Sequence, residues 1–247
     1  MELLAGFDAV QIAVAIVATL AAAFIRGLAG FGLAILLVPV LALAITPVEA
    51  VLATNVVALL IGLSEIRRLM REAESSSWII GLLVIVGTPV GLIALAATSP
   101  DLARMLIAIC ALSAFAVVLL PRRPADLPGK VSTGLTGLSS GLLTGFAGMP
   151  GIPVVPYYLG RDIPKEIARA SMLLIFTIAA TAGIGSGIAI GVMEWRLVGL
   201  GVLLFPVVLV GNYLGTLAFG KISDKVWRTF TVTVLGGTAI AALIKLL

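Results

Sequence analysis

The chain has 247 residues, of which 61% are hydrophobic and only 11% are charged, and its mean hydropathy is +1.22. This composition excludes a soluble globular domain and indicates an integral membrane protein. The net charge of +4 does not indicate nucleic-acid binding, because the basic residues fall in short segments between apolar stretches.

Apolar segments follow one another in two similar series. The first half predicts a helical hairpin over 9–26 and 33–46, followed by helices over 48–66, 78–98 and 102–120. The second half predicts a hairpin over 131–145 and 152–159, followed by helices over 165–191, 195–219 and 226–246. A helix needs roughly 20 residues to cross a hydrocarbon core of ~30 Å, so the segment 152–159 is too short. At least one hairpin arm is therefore predicted to be short or re-entrant.

The two halves also repeat each other in detail. Pro39 recurs as Pro156, Glu49 as Glu166 and Trp78 as Trp195, each pair 117 residues apart. We interpret the chain as a single membrane domain over 1–247, with repeat 1 over about 1–120, a linker over 121–130 and repeat 2 over about 131–247.

The number of crossings predicts how the repeats are oriented. A hairpin returns to its starting side, so three further helices give each half an odd number of net crossings, and the halves must be inverted. The predicted fold class is an all-α polytopic membrane protein with two inverted repeats, each a glycine-bent hairpin, re-entrant or spanning, plus three transmembrane helices.

The basic residues predict the orientation of the whole chain. One side collects eleven of the sixteen Lys and Arg residues, so this side is expected to be cytoplasmic and both termini to lie outside. Arg26, at the bend of the first hairpin, is assigned to the opposite side together with Arg104, Arg196 and Lys245.

A glycine cluster lies at the bend of each hairpin. The first contains Gly27, Gly30 and Gly32, and the second Gly145, Gly148 and Gly151. Interrupted helices at a repeat interface commonly form substrate sites, and free N–H groups at a helix start favour an anion. The alternative is that these glycines allow close packing of helices, since Gly137, Gly141 and Gly145 follow the small-xxx-small spacing.

Polar residues near the clusters are candidate substrate contacts. Arg26 is either a fixed cation for an anionic substrate or a side chain that snorkels to the outer interface. Thr54 and Asn55 correspond to Ser171 and Met172 in the second half. The hydroxyls of Thr54 and Ser171 either line a shared cavity or bond to their own helix backbone.

Acidic residues recur at one position of both halves. Glu49 and Glu166 each follow a proline by two residues, as is typical of a helix N-terminus, where a carboxylate caps the helix and favours the dipole. If transport is coupled to protons, this pair is the alternative candidate for carrying them.

Other chemistry is poorly supported. Histidine is absent, and the only cysteine, Cys110, lies in an apolar segment, which excludes an intramolecular disulfide and a cysteine-based zinc site. All five aspartates fall in predicted loops or at helix ends. We therefore expect no metal, no cofactor and no enzymatic activity.

Each glycine turn is followed by an apolar segment that ends in proline. The two sequences are Gly27-Leu-Ala-Gly-Phe-Gly-Leu-Ala-Ile-Leu-Leu-Val-Pro39 and Gly145-Phe-Ala-Gly-Met-Pro-Gly-Ile-Pro-Val-Val-Pro156. With the Ala-Thr-Asn and Ala-Ser-Met segments at 53–55 and 170–172, the chain resembles the sulfite exporter TauE/SafE family, also called toluene sulfonate uptake permeases, over essentially its whole length. It departs from many members by having Ala-Gly-Phe-Gly in place of a glycine triplet, and Met149-Pro150 in the second turn.

The resemblance implies a multi-pass protein of the bacterial inner membrane that moves small sulfur-containing anions, such as sulfite, sulfoacetate or other organosulfonates, often as an exporter. The leading hypothesis is a secondary transporter working by alternating access between the repeats. The alternatives are an anion channel and a transporter of a different small organic anion. The expected partners are the anion and the lipid bilayer, without nucleic acid; a homodimer is left open.

Overall fold

The computed structural model describes residues 6–29, 31–119, 129–159 and 161–218, and within these ranges all regular structure is helical. The helices are α1 (Ala9–Ala29), α2 (Leu33–Ala44), α3 (Pro47–Glu72), α4 (Ser76–Ala97), α5 (Pro100–Leu119), α6 (Lys130–Ala147), α7 (Gly151–Leu159), α8 (Lys165–Ala189) and α9 (Trp195–Ala218). They confirm nine of the ten predicted helices. The tenth, over 226–246, and most of the predicted linker lie outside the described residues.

One helix boundary differs in a way that matters for the site. The prediction ends the third helix at residue 66, whereas α3 continues to Glu72. Arg68 pairs with Glu65 and Glu72, at the i,i+3 and i,i+4 spacings that stabilise a polar helix end. Glu65 therefore lies inside a continuous helix rather than at its end.

Each hairpin brings its two ends back together. The side-chain amide of Gln11, near the start of α1, donates to the carbonyl of Ala44 at 2.9 Å. The hydroxyls of Thr133 and Tyr157 are 2.9 Å apart, which joins the start of α6 to the end of α7. The return arms α2 and α7 have 12 and 9 residues, about 18 Å and 14 Å of helix, so neither can cross the membrane.

Five of the described helices are long and apolar enough to cross a membrane: α1, α3, α4, α8 and α9. Their outer faces carry large exposed apolar side chains, such as Leu82 and Val86 on α4 and Val202 and Val210 on α9. Apolar side chains exposed in this way face lipid tails. The chain is thus a multi-pass membrane protein.

Two helix pairs pack in parallel through glycines, each pair joining the two halves of the chain. On α1 and α9, a Cβ at Gly27 would overlap the backbone at Asn212, and one at Gly215 would overlap Phe24. On α4 and α6, a Cβ at Gly91 would overlap Leu142, and one at Gly145 would overlap Thr88. These backbone approaches require glycine.

Helices α3 and α8 lie side by side and antiparallel. Leu52 lies against Gly187, Asn55 against Gly183 and Gly62 against Thr177. Residue numbers therefore rise along α3 while those of its contacts on α8 fall. Because α3 and α8 occupy equivalent positions in the predicted repeats, this contact joins the halves at their centre.

The ends of the helices lie at two opposite faces. At the Arg196 face, Arg196 binds Glu49 at 2.5 Å, and Arg104 donates to the carbonyl of Ala42 at 2.6 Å. At the Arg161 face, Arg161 binds both oxygens of Glu74, at 2.5 and 2.7 Å, and packs on the rings of Tyr157 and Tyr158.

Candidate functional site

A cavity of about 80 Å³ lies between the two hairpin turns and the pair α3 and α8. Its polar side chains are those of Arg26, Thr54, Asn55, Glu65 and Thr177, and the remaining lining side chains are apolar. A concave, mostly apolar chamber with a few convergent polar groups is the usual form of a small-molecule site.

The first hairpin turn directs the start of a helix into this cavity. Gly32 precedes α2 with φ 103°, a left-handed conformation that favours glycine, and as the N-cap residue it has no side chain with which to cap the helix. The next three residues, Leu33, Ala34 and Ile35, all line the cavity. Since the first N–H groups of a helix have no partner within it, this turn presents donors and the positive end of the helix dipole.

The second turn contributes a helix end and a helix start. Gly148, at φ 68°, ends α6: its N–H donates to Thr144 at 2.9 Å, and the N–H of Met149 donates to Leu143 at 3.1 Å. Gly151 then begins α7, and both glycines line the cavity. The predicted interruption of the helices at both clusters is therefore present.

Thr54 and Asn55 supply polar atoms without partners. Both residues are buried, with 1% and 3% exposed, and neither the Thr54 hydroxyl nor the Asn55 Nδ2 finds a hydrogen-bond partner among the described residues. The threonine contrasts with Thr88 and Thr177, whose hydroxyls donate to the backbone four residues earlier. Leaving a buried polar group unpaired costs about 1–3 kcal/mol, so such groups call for a ligand or an ordered water.

Arg26 lies at the other end of the cavity. Its side chain is only 9% exposed, one guanidinium nitrogen donates to Asn212 Oδ1 at 3.1 Å, and the other is 3.9 Å from Glu65. Glu65 is ten residues beyond Asn55 on α3, about 15 Å along the helix. The cavity thus has a hydroxyl and an amide at one end and a cation with a carboxylate at the other.

The assignment of Arg26 to the side of Arg104 and Arg196 is wrong. Its neighbour Glu65 is about 24 Å along α3 from Glu49, which binds Arg196. Arg26 therefore lies toward the Arg161 face. It does not snorkel to the outer interface, because its guanidinium is buried and bonded to Asn212.

Three predicted substrate contacts do not line the cavity. Gly27 and Gly145 lie in the close helix contacts described above, as the packing alternative expects. The Ser171 hydroxyl accepts a hydrogen bond from the backbone N–H of Glu74 at 2.8 Å. Gly30 lies outside the described residues. The cavity therefore combines Arg26, Gly32, Thr54, Asn55, Gly148 and Gly151 from the predicted set.

Neither candidate for proton coupling reaches the cavity. Glu49 caps α3 in a reciprocal pair with Thr46, with bonds of 2.8 and 3.4 Å, and also binds Arg196. Glu166 is exposed in the first turn of α8. Sequence reasoning missed Glu65, although an acidic residue so close to an apolar helix core is itself a signal.

The described part of the chain brings together no group of three acidic or cysteine side chains that could hold a metal ion. The polar groups of the cavity are instead hydrogen-bond donors, a guanidinium and one carboxylate. Apart from Glu65, this set is suited to a small anion.

Comparison with curated proteins and with solved structures gives no match. A family model, described as sulfite exporter TauE/SafE, matches residues 14–242, which include both glycine turns and all the described residues of the cavity. The chain therefore belongs to the TauE/SafE sulfite exporter family of membrane transporters.

Proposed function

We propose that this protein is a secondary transporter of small sulfur-containing anions, such as sulfite, sulfoacetate or other organosulfonates, and that the cavity is its substrate site. The observation that carries the proposal is the pair of buried polar groups at Thr54 and Asn55, which have no hydrogen-bond partner in the described part of the chain. Their hydroxyl and amide donors are paired when an oxyanion is bound and unpaired when it is absent.

The cavity favours an anion along its length. Arg26 supplies a full positive charge near the Arg161 face, and the uncapped start of α2 adds N–H donors. Sulfite and sulfonate groups carry three oxygens, which can accept several such bonds at once. The apolar walls, which include Phe31, Ile61 and Phe176, keep water away and strengthen these interactions.

The size of the cavity limits the substrate. A volume of about 80 Å³ suits a small anion. The two repeats contribute unequally to the cavity, because Asn55 lines it while its counterpart Met172 packs in an apolar cluster. The first repeat therefore supplies both the fixed cation and the unpaired amide.

The arrangement of the helices supports alternating access between inverted repeats. Two inverted halves would form an antiparallel contact such as that of α3 with α8. They would also form two equivalent pairs in which the first hairpin helix of one half packs on a later helix of the other half, as α1 packs on α9 and α6 on α4. Glu65, with 32% of its side chain exposed, lies where the cavity approaches the Arg161 face. We propose that this face is cytoplasmic, because Arg67, Arg68 and Arg71 end α3 there, and that the protein is an exporter with both termini outside, in the bacterial inner membrane.

The test is flux into liposomes that contain the purified protein. We expect saturable movement of sulfite and sulfoacetate, with a rate that responds to an imposed pH gradient. Flux that never saturates would favour an anion channel, and transport of another small organic anion in preference to both sulfur compounds would change the substrate. Absence of flux for sulfite, sulfoacetate and sulfate would refute the proposal.

A further inference from the structure

The carboxylate of Glu65 lies at a cavity that we propose to bind anions. It is 3.9 Å from the Arg26 guanidinium and accepts a hydrogen bond from Arg68, one helix turn later, at 2.5 Å. Arg68 and Arg26 offset part of the negative charge of Glu65, but a bound anion would add a second negative charge beside it, and two like charges repel each other. If the protein transports anions, as proposed above, the presence of a carboxylate at this position requires an explanation.

The contact between Arg26 and Glu65 is loose. Their 3.9 Å separation is too long for a hydrogen bond, whereas Arg26 is held by a true hydrogen bond to Asn212 on α9. An oxyanion can therefore approach the second guanidinium nitrogen without breaking a hydrogen bond. Asn212 keeps the arginine in place while its counter-ion changes.

The charged groups around Glu65 come from three helices. Arg26 faces it from α1, Arg68 and Glu72 belong to its own helix α3, and Arg169 on α8 is close enough to act electrostatically on Arg26. The described charged groups of α5 and α9, Asp101, Arg104 and Arg196, belong to the Arg196 face. Three cations thus stand near two carboxylates, and a bound anion adds a negative charge to the pair of Arg26 and Glu65.

We infer that Glu65 is the coupling group of the transporter, taking up a proton from solution when the anion binds beside Arg26 and releasing it when the anion leaves. The entering anion takes over the role of counter-ion to Arg26, and protonation of Glu65 removes the repulsion between the two negative charges. By linkage, a proton that helps the anion to bind is bound more tightly when the anion is present. One proton would then accompany each anion.

The test measures proton uptake directly. Sulfoacetate is the probe, because both of its acidic groups stay ionised near neutral pH and it contributes no protons of its own. Calorimetric titration of the purified protein in buffers with different ionisation enthalpies gives the number of protons taken up per anion bound. We expect close to one proton for the wild type, and an affinity that rises by up to about tenfold for each unit of pH lowered.

The decisive variant is Glu65→Gln, with Glu72→Gln as its matched control. Glu72 lies on the same helix, contacts the same Arg68 and has 33% of its side chain exposed against 32% for Glu65, but it does not line the cavity. Glu65→Gln should still bind sulfoacetate, with proton uptake near zero and an affinity independent of pH. Glu72→Gln should behave as the wild type.

The outcomes are distinct. Proton uptake by Glu65→Gln equal to that of the wild type would overturn the inference. If that variant does not fold, the wild type still decides, because sulfoacetate binding without proton uptake would overturn it as well. A wild type that binds neither sulfoacetate nor sulfite would instead refute the proposed transport of sulfur anions.

Discussion

Replacing Thr54 by valine separates a binding role from a structural one. The substitution exchanges a hydroxyl for a methyl group of similar shape at a site that is 1% exposed. Since this hydroxyl has no partner among the described residues, its loss removes an unpaired polar group. Thr54→Val should therefore stabilise the anion-free protein by about 1–3 kcal/mol, which raises its Tm by several degrees.

The same substitution should weaken anion binding. A hydrogen bond to a charged group contributes about 1.5–3 kcal/mol, so losing the Thr54 donor should raise the Kd for sulfite or sulfoacetate by about 10- to 150-fold. Stability and affinity thus change in opposite directions. A residue that serves packing alone would not show this pattern.

Thr19→Val provides the matched control. The Thr19 hydroxyl on α1 is also buried and has no partner within the described ranges, but Thr19 does not line the cavity. Both variants should raise the Tm of the purified protein in detergent, measured by thermal unfolding, and only Thr54→Val should raise the Kd measured by calorimetry. Equal Kd values for the two variants would refute the assignment of Thr54 to the substrate site.

Three further changes test other parts of the structure. Arg26→Ala should weaken sulfoacetate binding more than Arg104→Ala at the Arg196 face, because it removes the positive charge of the cavity. Equal binding by both variants would remove Arg26 from the site. Gly145→Ala should lower the Tm, because its Cβ would overlap the backbone of α4, at a cost of about 1–3 kcal/mol. Gly134→Ala on the same helix meets open space and should leave the Tm unchanged or raise it slightly, because alanine favours the helix more than glycine does. Similar Tm values for the two variants would contradict the close packing. Gly148→Ala should cost about 1–2 kcal/mol because of its left-handed backbone, and an unchanged Tm would argue against that turn.

The sequence predicts the helices well, because each break carries a strong local signal. Glycine clusters mark both hairpin turns, and Pro47 begins α3 where the prediction places it, within one residue. The end of α3 is less predictable. Charged residues after residue 66 are typical of a loop, but their pairing along the helix keeps it intact to Glu72.

The candidate site is predictable only in part, because the repeat indicates equivalent positions and not equivalent environments. Thr54 and Ser171 correspond in sequence, yet Thr54 faces the cavity while Ser171 bonds the backbone of Glu74. Gly32 and Gly27 belong to one cluster, yet Gly32 lies at the turn and Gly27 in a helix contact. Such differences depend on tertiary packing, which spacing along one chain does not contain.

The glycine contacts have a consequence for motion. The first hairpin lies against α9, and the second against α4, with the helix backbones so close that no side chain fits between them at the glycines. Each hairpin is thereby fastened to a helix encoded in the opposite half of the chain. If the proposed alternating access takes place, the bodies that move would therefore not be the two halves of the chain: one would contain α1, α2 and α9, and the other α4, α6 and α7.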